Sequence, residues 1–183
     1  MCTKLFKDSR LFEFIQKIDK DSEANSFAQP CVHCGGKLDR AFFQRKPRGV
    51  PGQFEEAFSV RPSFCCRTDG CRKRLTPMQL RFLSRKVYVS IIVLIAAAMA
   101  QGLAPKRLCD IQRELGVPPR TVQRWLVYWR KIFPSKSAWR YRRGNIVPPV
   151  DETGLPSTLL LRLSALHPTC HQAIITFLTI AIT

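Results

Sequence analysis

Apolar residues recur with helical spacing near the start of the chain. Leu11, Phe14, Ile15 and Ile18 fall on one side of a helix predicted over residues 5–18. The polar stretch DKDSEANS at 19–26 reads as a linker. Between Pro30 and Pro77 the helical period is lost and Gly, Pro and Cys are frequent, which predicts short strands at 38–44 and around 58–65. Thr76-Pro77 has the form of a helix start, with Thr as N-cap and Pro at the first helical position. From there to Phe133 the pattern is helical, interrupted at Gly102–Pro105 and Gly116–Pro119. The uncharged run Val87–Ala100 has 14 residues, short of the ~20 that cross a bilayer, and predicts a buried helix over 85–101. Residues 134–157, rich in Pro and Gly, read as an irregular link. The tail at 158–183 is apolar, and its uncharged, β-branched part, Ala173–Thr183, is suited either to pack on the core or to form a subunit interface.

The stretch from Leu108 to Phe133 carries the clearest pattern. Leu108, Ile111 and Leu115 share one face of a short helix, Gly116 supplies a sharp turn, and Val117 plugs the space between helices. Pro118 and Pro119 open a second helix, in which Val122, Leu126, Trp129 and Phe133 continue the core stripe with Trp125 at its flank. Arg120, Thr121, Gln123 and Arg124 are left exposed near the start of that helix, where a helix-turn-helix presents side chains to the major groove. Arg and Gln can read guanine and adenine edges in bidentate fashion. Arg130, Arg140, Arg142 and Arg143 follow, the last three interleaved with Trp139 and Tyr141, and suit the flanking backbone or a minor groove. The helix over 85–101 would complete a tri-helical bundle.

Eight cysteines change the picture of the segment before it. The N-terminus has no apolar run ahead of its charges, so no secretory signal is expected, and clustered thiols then point to metal rather than to disulfides. Cys31-Val-His-Cys34-Gly-Gly is a CxxC knuckle. Cys66 and Cys71 enclose four residues including the turn signal Asp69-Gly70. Two thiol pairs separated by a hairpin-sized spacer predict a structural zinc site of Cys31, Cys34, Cys66 and Cys71, with Cys65 as the alternative to Cys66. A zinc ion closed by four thiolates holds a fold and performs no chemistry. His33 is expected to face solvent and Cys109 to be a buried free thiol. Pro168 disturbs the helix on which His167, Cys170 and His171 would have to converge, so no second metal site is expected.

Charge is unevenly placed. The chain has 183 residues and a formal charge of +17, with 45% hydrophobic residues, which suits one or two small folded domains. Residues 31–144 hold 24 basic and 6 acidic side chains, and 17 of the basic ones are arginines. Residues 1–30 balance to zero and 145–183 to −1, so the whole excess is central. Such a segment is built for a polyanion. Arg45, Lys46 and Arg48 in the spacer, and Arg72, Lys73 and Arg74 around the second knuckle, are placed to bind phosphates. No nucleophile elbow, phosphate-binding glycine loop or HExxH motif occurs.

The blocks CVHCGG, CCRTDGCRKRLTP and LCDIQRELGVPPRTVQRW, covering about 31–133, together resemble the DNA-binding part of bacterial mobile-element proteins, a four-cysteine zinc ribbon followed by a helix-turn-helix. The resemblance implies recognition of element ends or an operator, within a transposition system or in transcription regulation. Transposases of that kind continue into an RNase H-like domain with a trio of metal-binding carboxylates. Here 50 residues follow Phe133, with Asp151 and Glu152 as their only acids, so no catalysis by this chain is expected.

The expected fold is α+β, a small zinc ribbon followed by a mainly α tri-helical helix-turn-helix domain. Its parts would be an N-terminal helix and linker (1–28), the ribbon (29–76), the helix-turn-helix domain (77–144), and the link and tail (145–183). The expected protein is a non-enzymatic, zinc-stabilised binder of double-stranded DNA, without a membrane segment, located in the bacterial cytoplasm at the nucleoid. A transposase or a second copy of the chain would be its protein partner. Two other readings stand beside this one: a transposase fragment or enzyme subunit whose catalytic part lies on another chain, and an RNA-binding ribbon protein that stacks residues 139–143 on single strands.

Overall fold

The computed structural model describes residues 8–83, 87–100 and 104–182. Cys2, the ends of the helices predicted over 5–18 and 85–101, and the break at Gly102 lie outside these residues. The first helix, α1 (Ser9–Ala28), starts where the Asp8 carboxylate accepts the Arg10 amide at 3.1 Å. It continues for 20 residues, so the stretch at 19–26 is helix and not linker. The inner face is Leu11, Phe12, Ile15 and Asp19, whereas Phe14 is 48% exposed. A buried aspartate at the i+4 step after Ile15 explains the difference, because it extends the inner face with a polar residue that an apolar pattern cannot detect.

Asp19 is satisfied from the segment that precedes the central helix. Its carboxylate accepts the amides of Leu80 and Arg81 and pairs with the Arg81 guanidinium at 2.6 Å. Arg81 also donates to the Ala57 carbonyl at 2.7 Å and lies over the Phe58 ring. These bonds correct the helix start expected at Thr76-Pro77. Residues 76–79 are not helical, and the Leu80 and Arg81 amides go to Asp19 instead of to a helical ladder.

The second helix is α2 (Glu55–Ser59) and the third, α3, begins only at Ser90 and ends at Met99. Every residue of α3 from Ser90 to Ala97 is buried, as a helix apolar all round requires. It packs against α4 (Pro105–Leu115), α5 (Pro119–Val127), α7 (Ser157–Leu166) and α8 (Cys170–Ile182). The tail therefore packs on the core, through Leu159, Leu163, Ile174, Phe177 and Leu178. A one-turn π-helix, Tyr128–Ile132, prolongs α5 and turns Trp129 into the core against Phe133 and Phe177, at 5.0 and 5.3 Å between ring centroids.

The expected irregular link contains a helix, α6 (Ser137–Arg143). Its Trp139 is buried beside Phe133 and donates to Glu152 at 2.7 Å, while Arg143 reaches the same carboxylate at 2.8 Å. The prolines and glycines mark the ends of short elements here, not their absence.

Three antiparallel strands, β1 (Leu38–Gln44), β2 (Val60–Cys66) and β3 (Arg74–Leu75), form a sheet in the order β1-β2-β3. Leu38 opposes Cys66 at one end of the β1–β2 pair and Gln44 opposes Val60 at the other. A satellite core of Cys31, Leu38, Phe64 and Cys66 lies beneath it, with Phe27 of α1 at 5.2 Å from Phe64. The β1–β2 connection sends Phe54 and Phe58 into the main core, against Phe12 at 5.5 and 5.9 Å. Helix α1 thus serves both cores, one at each end.

Asp19→Ala is expected to lower unfolding free energy by about 3–5 kcal/mol in a denaturant titration, because it strands a buried guanidinium. For Glu152, burial raises the carboxyl pKa, but the hydrogen bonds from Arg143 and Trp139 outweigh it and hold the group below its ordinary value. A depressed folded pKa contributes stability above the unfolded value, and that contribution is lost as pH falls through the folded one. Acid unfolding followed by tryptophan fluorescence should accordingly show a smaller pH dependence in Glu152→Gln than in the parent.

Candidate metal centre and nucleic-acid interface

Two turns and one strand end bring the four thiols together. In the first turn the Gly35 amide bonds the Cys31 carbonyl and the Cys31 amide bonds the Gly36 carbonyl, both at 2.8 Å. In the second the Cys71 amide bonds the Thr68 carbonyl at 3.1 Å. The turns are in close contact. A Cβ at Gly36 would collide with the Thr68 hydroxyl and stand 3.3 Å from the Cys66 sulfur. Asp39 on β1 takes a two-pronged grip from Arg67, with the shortest bond 2.6 Å, so Arg67 is engaged in joining the two sides.

The sulfurs of Cys31, Cys34, Cys66 and Cys71 all lie within 4.8 Å of one another. Cys31 and Cys71 are 3.8 Å apart and Cys34 and Cys66 are 3.4 Å apart. Four sulfurs placed about 2.3 Å from a central ion at tetrahedral corners would be separated by about 3.8 Å, so this cluster can hold a metal ion. The alternative at the strand end is decided by the pleat. Cys65 points to the opposite face from Cys66 and its thiol lies near the Arg72 carbonyl, outside the cluster.

Crowding also shows in the acidities. The Gly36 amide, followed by the Cys66 and Cys71 thiols, holds Cys34 below its ordinary value. At Cys71 the Lys73 amide acts in the same direction, but Cys34, burial, Cys31 and Cys66 overcome it and push the thiol up to about 11. Four thiolates this close repel, and a cation is what allows them all to ionise.

His33 is exposed and stands outside the cluster, as expected. His171 pairs with Asp8 at 2.9 Å, and Cys170 belongs to no metal-binding group among the described residues. Cys109 is exposed, contrary to expectation, because it lies one step round α4 from the buried Leu108.

The Gly116 turn joins α4 to α5. Gly116 has φ +63°, a left-handed conformation that caps α4 through its amide on the Gln112 carbonyl at 3.0 Å. Leu108, Ile111, Leu115 and Val117 are buried behind the turn, as are Val122 and Leu126 of α5. Trp125 is more than a flank; it is buried, edge-on to Tyr88 at 5.1 Å. On the outer side Arg120, Gln123 and Arg124 are exposed, and Thr121 is half-buried.

Of the other basic residues, Lys46, Arg48, Arg72, Lys73, Arg74 and Arg140 are exposed. Arg45 and Arg130 are half-buried, Arg45 lying over the Phe82 ring. Arg142 is half-buried and Arg143 is engaged with Glu152. The aromatic interleaving expected at 139–143 is reduced to Tyr141, 82% exposed, since Trp139 belongs to the core. Asp151 accepts the amide and hydroxyl of Thr153 at 2.9 and 2.7 Å. The residue that the sequence reading left out is Tyr88, which sets Arg48 beside α5. No local signal links positions 48, 88 and 125. Among the described residues no helix is long and apolar enough to cross a membrane.

Cys66→Ser is expected to abolish metal retention and to raise amide hydrogen exchange throughout 31–75, whereas Cys65→Ser leaves both unchanged; elemental analysis with exchange mass spectrometry reads the two together.

No family model matches this chain, and neither a curated protein nor a solved structure matches it.

Proposed function

We propose that this chain is a non-enzymatic, zinc-stabilised protein that binds double-stranded DNA through a helix-turn-helix made of α4 and α5. The observation that carries the reading is the division of α5. Val122, Trp125 and Leu126 are buried, while Arg120, Gln123 and Arg124, at i, i+3 and i+4, form one exposed face at the start of the helix. Such a face can offer guanidinium and amide groups to base edges. The central excess of positive charge supports a phosphate-rich partner and a salt-dependent affinity.

Zinc is the ion proposed for the sulfur cluster, since four thiolates at tetrahedral spacing suit it and leave no open position for chemistry. Its part is to hold the two turns together and so keep Arg72, Lys73 and Arg74 beside the sheet. Asp151 and Glu152 are already bonded to Thr153, Trp139 and Arg143, which supports the absence of a carboxylate metal site in the tail. Service to a mobile element, as accessory or regulator, rests on the sequence resemblance alone.

Selection from a randomised duplex pool should yield a preferred sequence. Arg120→Ala and Gln123→Ala should each relax that preference at one position, at a cost of about 1–3 kcal/mol. Equal affinity for all duplexes would overturn specific readout, and tighter binding to single-stranded RNA would overturn the duplex reading in favour of an RNA partner.

A further inference from the structure

The β1–β2 connection and the start of α5 meet around a cleft of about 460 Å³. Arg48, Thr121 and Arg124 supply its polar wall, and Tyr88, Trp125 and Pro118 its apolar one. The backbone fixes this meeting. Arg48 donates its amide to the Val87 carbonyl at 2.9 Å and accepts the Val89 amide at 3.1 Å, so it forms a parallel bridge with Tyr88. Its guanidinium lies over the Tyr88 ring, 5.8 Å from the centroid, and that ring packs edge-on against Trp125. Arg124 donates to the Thr121 hydroxyl at 3.3 Å, which draws its guanidinium to the cleft side of α5.

Two guanidiniums therefore border one cleft, brought there by segments far apart in sequence, and no carboxylate is among the described residues that line it. Like charges facing one space are unfavourable until an anion enters. The planar fork of arginine matches phosphate oxygens, and apolar walls suit the carbon face of a sugar. The volume is within the about 300–1,000 Å³ typical of small-molecule sites, ample for a sugar phosphate.

We propose that this cleft seats one sugar phosphate, supplied by a nucleic-acid backbone or by a free nucleotide, and that Arg48 and Arg124 grip it jointly. The backbone source rests on the DNA-binding reading and deepens it. Arg124 then holds the strand, and Arg120 and Gln123 are the residues left to meet base edges.

The test measures affinity of the full chain for a short duplex of randomised sequence across a salt series, with Arg48→Ala, Arg124→Ala and the double variant. Because release per neutralised phosphate contributes about 0.9 to the salt slope, the double variant should lower the slope by about 1 in total, and each single by less. A fall of about 2 would mean separate phosphates and would overturn joint grip, as would an unchanged slope. Arg48→Gln, which keeps the side-chain stem over Tyr88, should reproduce Arg48→Ala, and thermal melting should leave all variants folded. Equilibrium dialysis with a deoxynucleoside monophosphate separates the sources. Nucleotide binding that Arg48→Ala abolishes, in a chain that binds no duplex, supports the seat and sinks only the DNA reading. Binding of neither probe sinks both.

Discussion

The buried ion pair between Asp19 and Arg81 determines how this chain is assembled. A pair removed from water repays its desolvation only when its remaining hydrogen-bonding positions are filled. Here the amides of Leu80 and Arg81 donate to the carboxylate and the Ala57 carbonyl accepts a hydrogen bond from the guanidinium. Three segments are thereby locked to one another: α1, the strap before α3, and α2. The rotation of α1 follows from this, since only one face can present Asp19 inward. That rotation in turn sets Leu11, Phe12 and Ile15 on the main core and leaves Phe27 for the sheet.

From this framework the cationic side chains acquire their positions. The main core takes Trp129, Trp139 and Phe177 as well as most of α3, so the described arginines between 31 and 144 are mostly pushed to its margins. Some are used internally: Arg67 on Asp39, Arg81 on Asp19, Arg143 on Glu152. Other exposed ones stand on β1, α4 and α6 (Arg40, Arg107, Arg113, Arg140), and the rest fall in three places: around the second thiol turn, on the β1–β2 connection and on the outer side of α5. Under the proposed reading these three places are one cationic apparatus for a duplex, stiffened at one end by metal and at the other by packing.

How far the residues alone disclosed this depends on whether a signal was local. The strand at 38–44 and the thiol set were legible because the loss of helical period, CxxC spacing and Asp-Gly turn chemistry all act over a few residues. The turn at Gly116 was legible for the same reason. Thr76-Pro77 misled because its helix-forming preference lost to a partner many residues away, Asp19, that claimed the next amides. The polar run at 19–26 misled for the converse reason, since its one buried residue is charged. Trp139 looked like a surface aromatic because its neighbours are arginines, and only the fold reveals Phe133 and Glu152 around it. The choice between Cys65 and Cys66 needed a strand register, which spacing does not contain.

The β1–β2 connection touches α3 so closely that a Cβ at Gly49 would come within 2.6 Å of Ile92. The far end of β1, the strand that leads into it, is anchored at the thiol corner by Leu38 opposite Cys66. The stretch between works as a gauge block of fixed span. An inserted residue in β1 would invert the faces of everything beyond it and slide Arg48 out of register with Val87 and Val89. Exposed side chains along that stretch, such as Phe42 and Gln44, are less constrained than its residue count. Natural drift in this protein should therefore show fewer insertions or deletions between Leu38 and Gly49 than substitutions at those exposed positions.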